Sequence, residues 1–254
     1  METLKTDIDK LGGIGASDCG KLFTRDGLKA KIAQTLAYEK ALELINGYKK
    51  ELTTVPMQHG IFNEEEAYYN VVKPFYPNSK YQSSESIWIN ENCWVTPDVV
   101  DDVIGITIDI KCPYTPFTYW QNAKKLPEVY ISQNQMQMIG TGHKKGAICL
   151  YLTSTNIDEW GNKIEFDIPL EKRHLFLPIE AQEDYQNEIL KRIDEFIPIR
   201  DKIMLHLSKA PEINDMEFFE LCETKKVTRF KDKSNLLTWE NKIIKNSNEY
   251  YTIE

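Results

Sequence analysis

Apolar positions recur along this chain at two different periods, and the changes of period mark out its elements. Residues 27–46, GLKAKIAQTLAYEKALELIN, place Ile32, Leu36, Ala37, Ala41 and Leu44 at the three-and-four spacing of one helical face. A second helical stretch, FNEEEAYYNVVKPF, begins around Gly60, with an acidic first turn suited to the positive end of a helix dipole. The pattern then shortens. SIWIN, CWVTPDVV and ITIDIKC are β-rich runs separated by turn residues. Residues 128–141 return to a helix. GAICLYL, residues 146–152, has the continuous apolar character of a buried strand, and NKIEFDIPL forms another, joined to it by a polar hairpin around Gly161. A long amphipathic helix runs from about Ile179 to Leu207, interrupted near IPI, and the tail from Pro211 is mixed helix and loop. Near the start, GIGASD is a glycine-rich turn whose Ser17 or Asp18 is placed to cap the next helix. Strands with helices on both sides in sequence predict an α/β (α+β) domain with a mixed central β-sheet flanked by helices. There is no repeat, low-complexity tract or Gly/Ser linker, so residues 1–254 are expected to form a single domain, mainly helical from about 178.

One stretch departs from this pattern. TPDVVDDVIGITIDIKCP, residues 96–113, sets four aspartates and a lysine in an apolar, β-branched run. Side chains alternate across a strand, so Asp109 and Lys111 share one face while Ile108 and Ile110 point to the core. With DDVIG as the turn, strand 94–100 runs antiparallel to strand 105–112. Asp98 then lies opposite Ile108 or Asp109, depending on a register the sequence leaves open, with β-carbons roughly 5 Å from those of Asp109. Asp101 and Asp102 fall at the turn, about 10 Å further along, as turn formers. An isolated D-x-K in a strand is commonly a solvated ion pair. The added carboxylate of Asp98 changes that: two converging carboxylates repel unless a divalent cation lies between them, and a neighbouring lysine can orient or activate an attacking water.

The net charge of -8, from 31 basic and 39 acidic residues, argues against a passive nucleic-acid binder but not against a nuclease, whose metal site concentrates carboxylates. The run Lys225–Lys233 and the group Lys21, Arg25, Lys29 and Lys31 are either solvated faces or patches that track a phosphate backbone. No apolar run approaches the ~20 residues that span a bilayer, and the N-terminus has no apolar segment of the secretory kind. Five scattered cysteines without a CxxC pair speak against a zinc ribbon and for reduced thiols in a cytosolic setting. His59 and His143 carry no assigned role, and Trp88, Trp94 and Trp120 are expected in the core or a groove wall.

Four more segments accompany the hairpin. TPD…DIK resembles the PD-(D/E)xK nuclease signature, which is short by itself. LGGIGASD, Leu11 to Asp18, resembles the N-terminal motif of the phage lambda exonuclease and YqaJ-like viral recombinase family. HGIFNEEEAYYNVV resembles that family's G-x-x-x-E helix through Gly60 and Glu64. DIKCPYT resembles the segment that comes after the second metal carboxylate. YISQNQMQM resembles the family's Y-x-x-Q-x-Q helix through Tyr130, Gln133 and Gln135. The motifs keep the family's order over roughly residues 11–155.

The resemblance implies a restriction-endonuclease-like core and a Mg²⁺-dependent exonuclease on double-stranded DNA ends, with Mn²⁺ as a substitute and one or two ions bound. It implies 5′-to-3′ polarity, 3′ overhangs for phage-type recombination, a homo-trimer, a single-strand annealing recombinase as partner, no membrane, and a cytoplasmic location, the host's if the chain is phage-encoded. By the same resemblance Asp98, Asp109 and the Ile110 carbonyl would be metal ligands, and Lys111 would position the water. Glu64 would bind a second metal or a metal-bound water. Gln133 and Gln135 would line the site. Ser17 and Arg25 would meet DNA phosphates, with Tyr130 beside them on the DNA side. The chain departs from phage lambda exonuclease in having aspartate at 109 where that enzyme has glutamate, one methylene longer. A structure-specific or single-strand endonuclease of the same fold and a non-catalytic DNA-end-binding module remain as alternatives.

Overall fold

A computed structural model describes residues 8–49, 54–82, 85–157 and 163–208. The basic run Lys225–Lys233, the tail from Pro211 and the turn at Gly161 lie outside the described residues. Ile14–Gly15 (β1) leads into a single helical turn, Ala16–Cys19 (α1). Gly15 is its N-cap, so Ser17 and Asp18 do not cap it as expected. Asp18 instead pairs with Lys21 at 2.8 Å and with Lys40 at 3.2 Å. Lys40 belongs to the next helix, Lys31–Asn46 (α2), and there also contacts Glu43 at 3.1 Å. Glu43 Oε2 accepts from the Gly12 N–H, and Arg200 donates to the Gly12 carbonyl. The glycine-rich segment is therefore pinned by a buried charge network. α2 buries Ala33, Leu36, Ala37 and Ala41, whereas Ile32 and Leu44 are exposed, so its apolar stripe is rotated from the expected one.

The next helix, α3, spans Val55–Ala67. Thr54 Oγ1 accepts from the Met57 N–H and Pro56 occupies the first turn, which is why the helix starts there rather than at Gly60. Glu64, Glu65 and Glu66 therefore sit in the middle of a helical run that continues through a π turn, Tyr68–Val72, into Lys73–Phe75 (α4), and not at a positive helix end.

Five strands come next: Lys80–Tyr81 (β2), Ile87–Trp88 (β3), Cys93–Val95 (β4), Val99–Asp101 (β5) and Ile106–Lys111 (β6). CWVTPDVV is two strands, not one. β4 joins β1 and β3 in a three-stranded sheet and β5 joins the main sheet, with Pro97, which cannot donate to a ladder, at the break. The β5–β6 turn is built by Asp101, whose Oδ1 accepts from the Val103 and Ile104 N–H groups, and by Gly105 at a φ of +65°.

Pro116–Lys124 (α5) and Glu128–Thr141 (α6) carry the chain to Lys145–Tyr151 (β7), parallel to β6, as a crossover requires. NKIEFDIPL does not pair with β7. Its Lys163–Glu165 (β9) pairs with Thr155–Ile157 (β8) in a separate two-stranded sheet, and β7's antiparallel partner is His174–Glu180 (β10). The last helix, Glu183–Ser208 (α7), thus starts later than expected and runs through Pro198 without the expected break.

The main sheet has the order β10-β7-β6-β5-β2 and is mixed. Ile106, Ile108, Ile110, Ala147 and Cys149 form one buried face against Ala67, Tyr68, Val71 and Val72. On the other face Tyr119, Ala123, Leu126 and Tyr130 pack against Ile148, Leu150 and Leu152. Helices cover both faces, as the α/β expectation has it, and each fully buried aliphatic side chain contributes about 1.5–3 kcal/mol. Among the described residues no helix is long and apolar enough to cross a membrane.

Candidate active site

The β5–β6 register, Val99 against Ile108 and Val100 against Thr107, continues outward to set Asp98 against Asp109. A side chain locks it there. Asp98 Oδ2 accepts from the Ile110 N–H at 2.7 Å, one position past the end of the β5 ladder, and the Asp98 carbonyl accepts from Gln82 N–H at 2.8 Å. In a strand the N–H and C=O of one residue project to the same edge, so the Ile110 carbonyl faces the edge that Asp98 occupies.

Asp109 is fully buried. Its Oδ1 accepts from Gln133 Nε2 and from Gln137 Nε2, each at 2.9 Å. Its Oδ2 is ion-paired with Lys111 Nζ at 2.6 Å. Lys111 Nζ also stands 5.3 Å from the Tyr130 ring centroid. Asp109 and Lys111 do share a face, with Ile108 and Ile110 on the other, as strand parity requires.

The carboxylates feel one another. Burial raises the pKa of Asp98 well above the usual range, and the Asp109 and Glu64 charges add to this. Glu64, on α3, is pushed up to about 7, first by burial and then by Asp109, against the pull of Lys111. Burial alone would depress Lys111, but Asp109 and Asp98 overcome it and hold the ammonium above the ordinary lysine range. A fixed cation thus faces carboxylates that resist carrying their full charge together.

Such a cluster fits a hard divalent cation. The observation that carries the fit is the chemistry of the donor set: the buried Asp98 and Asp109 carboxylates repel one another at the strand end, beside the Ile110 backbone. Among the described residues no three His, Cys, Asp or Glu side chains are gathered closely enough to hold an ion by themselves. The fitting donors are therefore mixed: the Asp98 and Asp109 carboxylates and the Ile110 carbonyl, completed by water, with Glu64 at the margin.

The other expected residues divide. Gln133 and Tyr130 reach the cluster. Gln135 does not: it is fully buried on another face of α6, donating to the Glu180 carbonyl and accepting from Gln182 N–H and from Gln186. A step of two residues turns about 200° around a helix, whereas four residues return to the same face. Gln137, four after Gln133, takes the place expected of Gln135, and helical periodicity is the signal that points to it. Ser17 is exposed and lines a cleft of about 770 Å³ between α1, α2 and α3 whose walls include none of the hairpin residues. Arg25 is exposed in a turn before α2. Trp120, expected in the core or a groove wall, is 52% exposed.

The site is an acidic hairpin that closes on Asp109 and Lys111 at a strand end, in a mixed sheet flanked by helices. No family model matches the chain, and no curated protein matches it. Solved structures do. An alkaline exonuclease, LHK-Exo, from Laribacter hongkongensis superposes with a TM-score of 0.62 at 20% identity, over 79% of this chain and 93% of that one. The same protein in complex with dAMP gives 0.62 at 21%, over 80% and 94%. A phage related exonuclease from Haemophilus somnus gives 0.61 at 20%, over 77% and 94%. The chain shares the fold of these exonucleases across nearly their whole length.

Proposed function

We propose that this protein is a metal-dependent exonuclease that degrades double-stranded DNA from its ends. The observation that carries the reading is the convergence of Asp98, Asp109 and Lys111 at the end of β6, in a fold shared with exonucleases. The finer reading is 5′-to-3′ degradation leaving 3′ overhangs for phage-type recombination. It includes Mg²⁺ as the cation, a homo-trimer, a single-strand annealing recombinase as partner and action in the cytoplasm.

In this reading each side chain has a task. Asp98 and Asp109 hold the cation with the Ile110 carbonyl. A divalent cation bound there supplies charge stabilisation at the scissile phosphate and makes a bound water acidic enough to attack. Gln133 and Gln137 fix the rotation of Asp109 by gripping the same oxygen. Lys111, held charged, orients the attacking water and offsets the charge that grows on the phosphate. Glu64, on α3 and within the field of Lys111 and Asp109, would bind a second cation or a cation-bound water. Tyr130 supports the lysine through its ring.

Linear and circular duplex DNA separate the readings. With Mg²⁺, the linear duplex is expected to be degraded and the closed circle spared, and EDTA is expected to stop the reaction. Cutting of the circle would favour an endonuclease of the same fold. No Mg²⁺-dependent loss of any DNA would leave only an end-binding module.

The site also predicts a pH-dependent response to metal that does not depend on activity. The folded-state pKa values of Glu64 and Asp98 stand above ordinary carboxylate values. Their contribution to stability is therefore fully present at acid pH, below the unfolded values, and is lost as pH rises through the folded ones, about 7 for Glu64. Cation binding competes with those protons. Saturating Mg²⁺ is expected to raise Tm by roughly 5–10 °C at alkaline pH, with the increment shrinking as pH falls through about 7. A Tm increment independent of pH would remove the cation from this cluster.

A further inference from the structure

α5 carries a surface that the proposed hydrolysis does not use. It buries Tyr119 and Asn122 and leaves Phe117 72% and Trp120 52% exposed. The two aromatics are three residues apart and so lie side by side, and Gln121 and Lys124 continue the same stripe. Large aromatic side chains gathered on the open face of a short helix call for an occupant.

Charge narrows the choice. From Ile110 to Pro127 there is no acidic residue, in a chain with 39 of them, while Lys124 and Lys125 close the helix and are exposed. A face with aromatic rings and only positive charge suits a polyanion that presents flat apolar surfaces. An intact duplex hides its base faces; a single strand shows them. A protein partner would be met by charges of both signs, and the segment from Ile110 to Pro127 carries none of the negative kind.

The position is continuous with the site. Tyr119 is 2% exposed and packs on Ile148, Leu150 and Leu152, the cluster on which Tyr130 also packs. Tyr130 lies beside Lys111, and the Tyr119 ring meets Trp120 edge-on at 5.1 Å. Tyr130 beside the lysine and Tyr119 beneath the open face thus share one apolar cluster. Thr115 caps the helix, accepting from Thr118 N–H at 3.1 Å, so the stripe is held rigidly.

We propose that the solvent face of α5 is a track for single-stranded DNA, with bases stacking on Phe117 and Trp120 and phosphates meeting Lys124 and Lys125. The proposal rests on the nuclease reading for its place beside a reacting end. The track would hold the unpaired strand next to the cluster while the duplex end is worked on.

The test uses the full chain carrying Asp109→Asn, so that DNA is not consumed, with and without Phe117→Ala/Trp120→Ala. Binding of a fluorescein-labelled oligothymidylate is measured by anisotropy, beside a duplex whose two ends are closed by hairpins. Loss of the two rings is expected to weaken oligothymidylate binding about tenfold or more and closed-duplex binding by less than about twofold. Phe117→Tyr/Trp120→Phe, which keeps two rings, is expected to retain the affinity. Unchanged oligothymidylate binding overturns the track, as does an equal loss on the closed duplex or failure of the ring-keeping pair to retain binding. Capture of a protein through this face with indifferent oligothymidylate binding would reassign it. The two readings also fail separately. A wild-type protein that cuts no DNA, yet binds oligothymidylate through Phe117 and Trp120, loses the nuclease reading and keeps the track. Cleavage with ring-independent binding does the reverse.

Discussion

Replacing Asp109 by Asn is expected to lower Mg²⁺-dependent degradation of linear duplex DNA by at least about 10²–10³-fold while leaving the protein folded. The substitution isolates charge from shape. Asn retains an Oδ1 to accept from Gln133 and Gln137, so the grip of α6 on this side chain survives. What disappears is the negative charge and the Oδ2 oxygen that faces Lys111, the features that recommend the position for a cation. Lys111 loses its ion-pair partner Asp109 and retains Asp98 as a neighbouring carboxylate. Initial rates on an end-labelled duplex, with a melting curve of the same preparation, decide the matter. A rate equal to wild type in a protein with normal Tm would place the chemistry elsewhere.

Lys40→Ala is expected to cost about 3–5 kcal/mol of stability, lowering Tm on the order of 10 °C. Lys40 is 2% exposed and answers two carboxylates, Asp18 and Glu43. Removing it leaves Asp18 with the more exposed Lys21 alone and leaves Glu43 with no cation, only the Gly12 N–H. Burial by itself raises the Asp18 pKa, and it is Lys40, then Lys21, that brings it below the usual value. Because Glu43 also accepts from Gly12 N–H, and Arg200 of α7 holds the Gly12 carbonyl, the damage is expected to spread from α2 to α7. Thermal unfolding measures it, and a shift under a degree or two would mean the network is solvated. The two variants differ in kind: Asp109→Asn should lose activity and keep its fold, and Lys40→Ala should lose stability first.

Legibility in the sequence differs from element to element. The β5–β6 hairpin is readable because parity is a local rule. Parity places Asp109 with Lys111 and leaves only a one-residue ambiguity for Asp98. A tertiary contact removes that ambiguity, Asp98 Oδ2 to the Ile110 N–H, and no period encodes it. The start of α3 is obscured because the acidic run at Glu64–Glu66 resembles a helix beginning, while the operative signals are Thr54 and Pro56 upstream. β10 is hidden because Ile179 fits the spacing of the helix after it, and its partner β7 is reached only through the fold. Motif letters favour Gln135, whereas counting around the helix favours Gln137, and the helix decides.

α6 carries four fully buried polar groups, Ser132, Asn134, Gln135 and Gln137, on two of its faces. All of them are neutral at any physiological acidity. The scaffold behind Asp109 is thus deaf to protons, while the groups in front of it, Asp98 and Glu64, are tuned to hear them. Mechanical support and proton response are carried by different parts of the molecule: neutral amides hold Asp109 from behind, and the ionisable carboxylates of Asp98 and Glu64 stand in front.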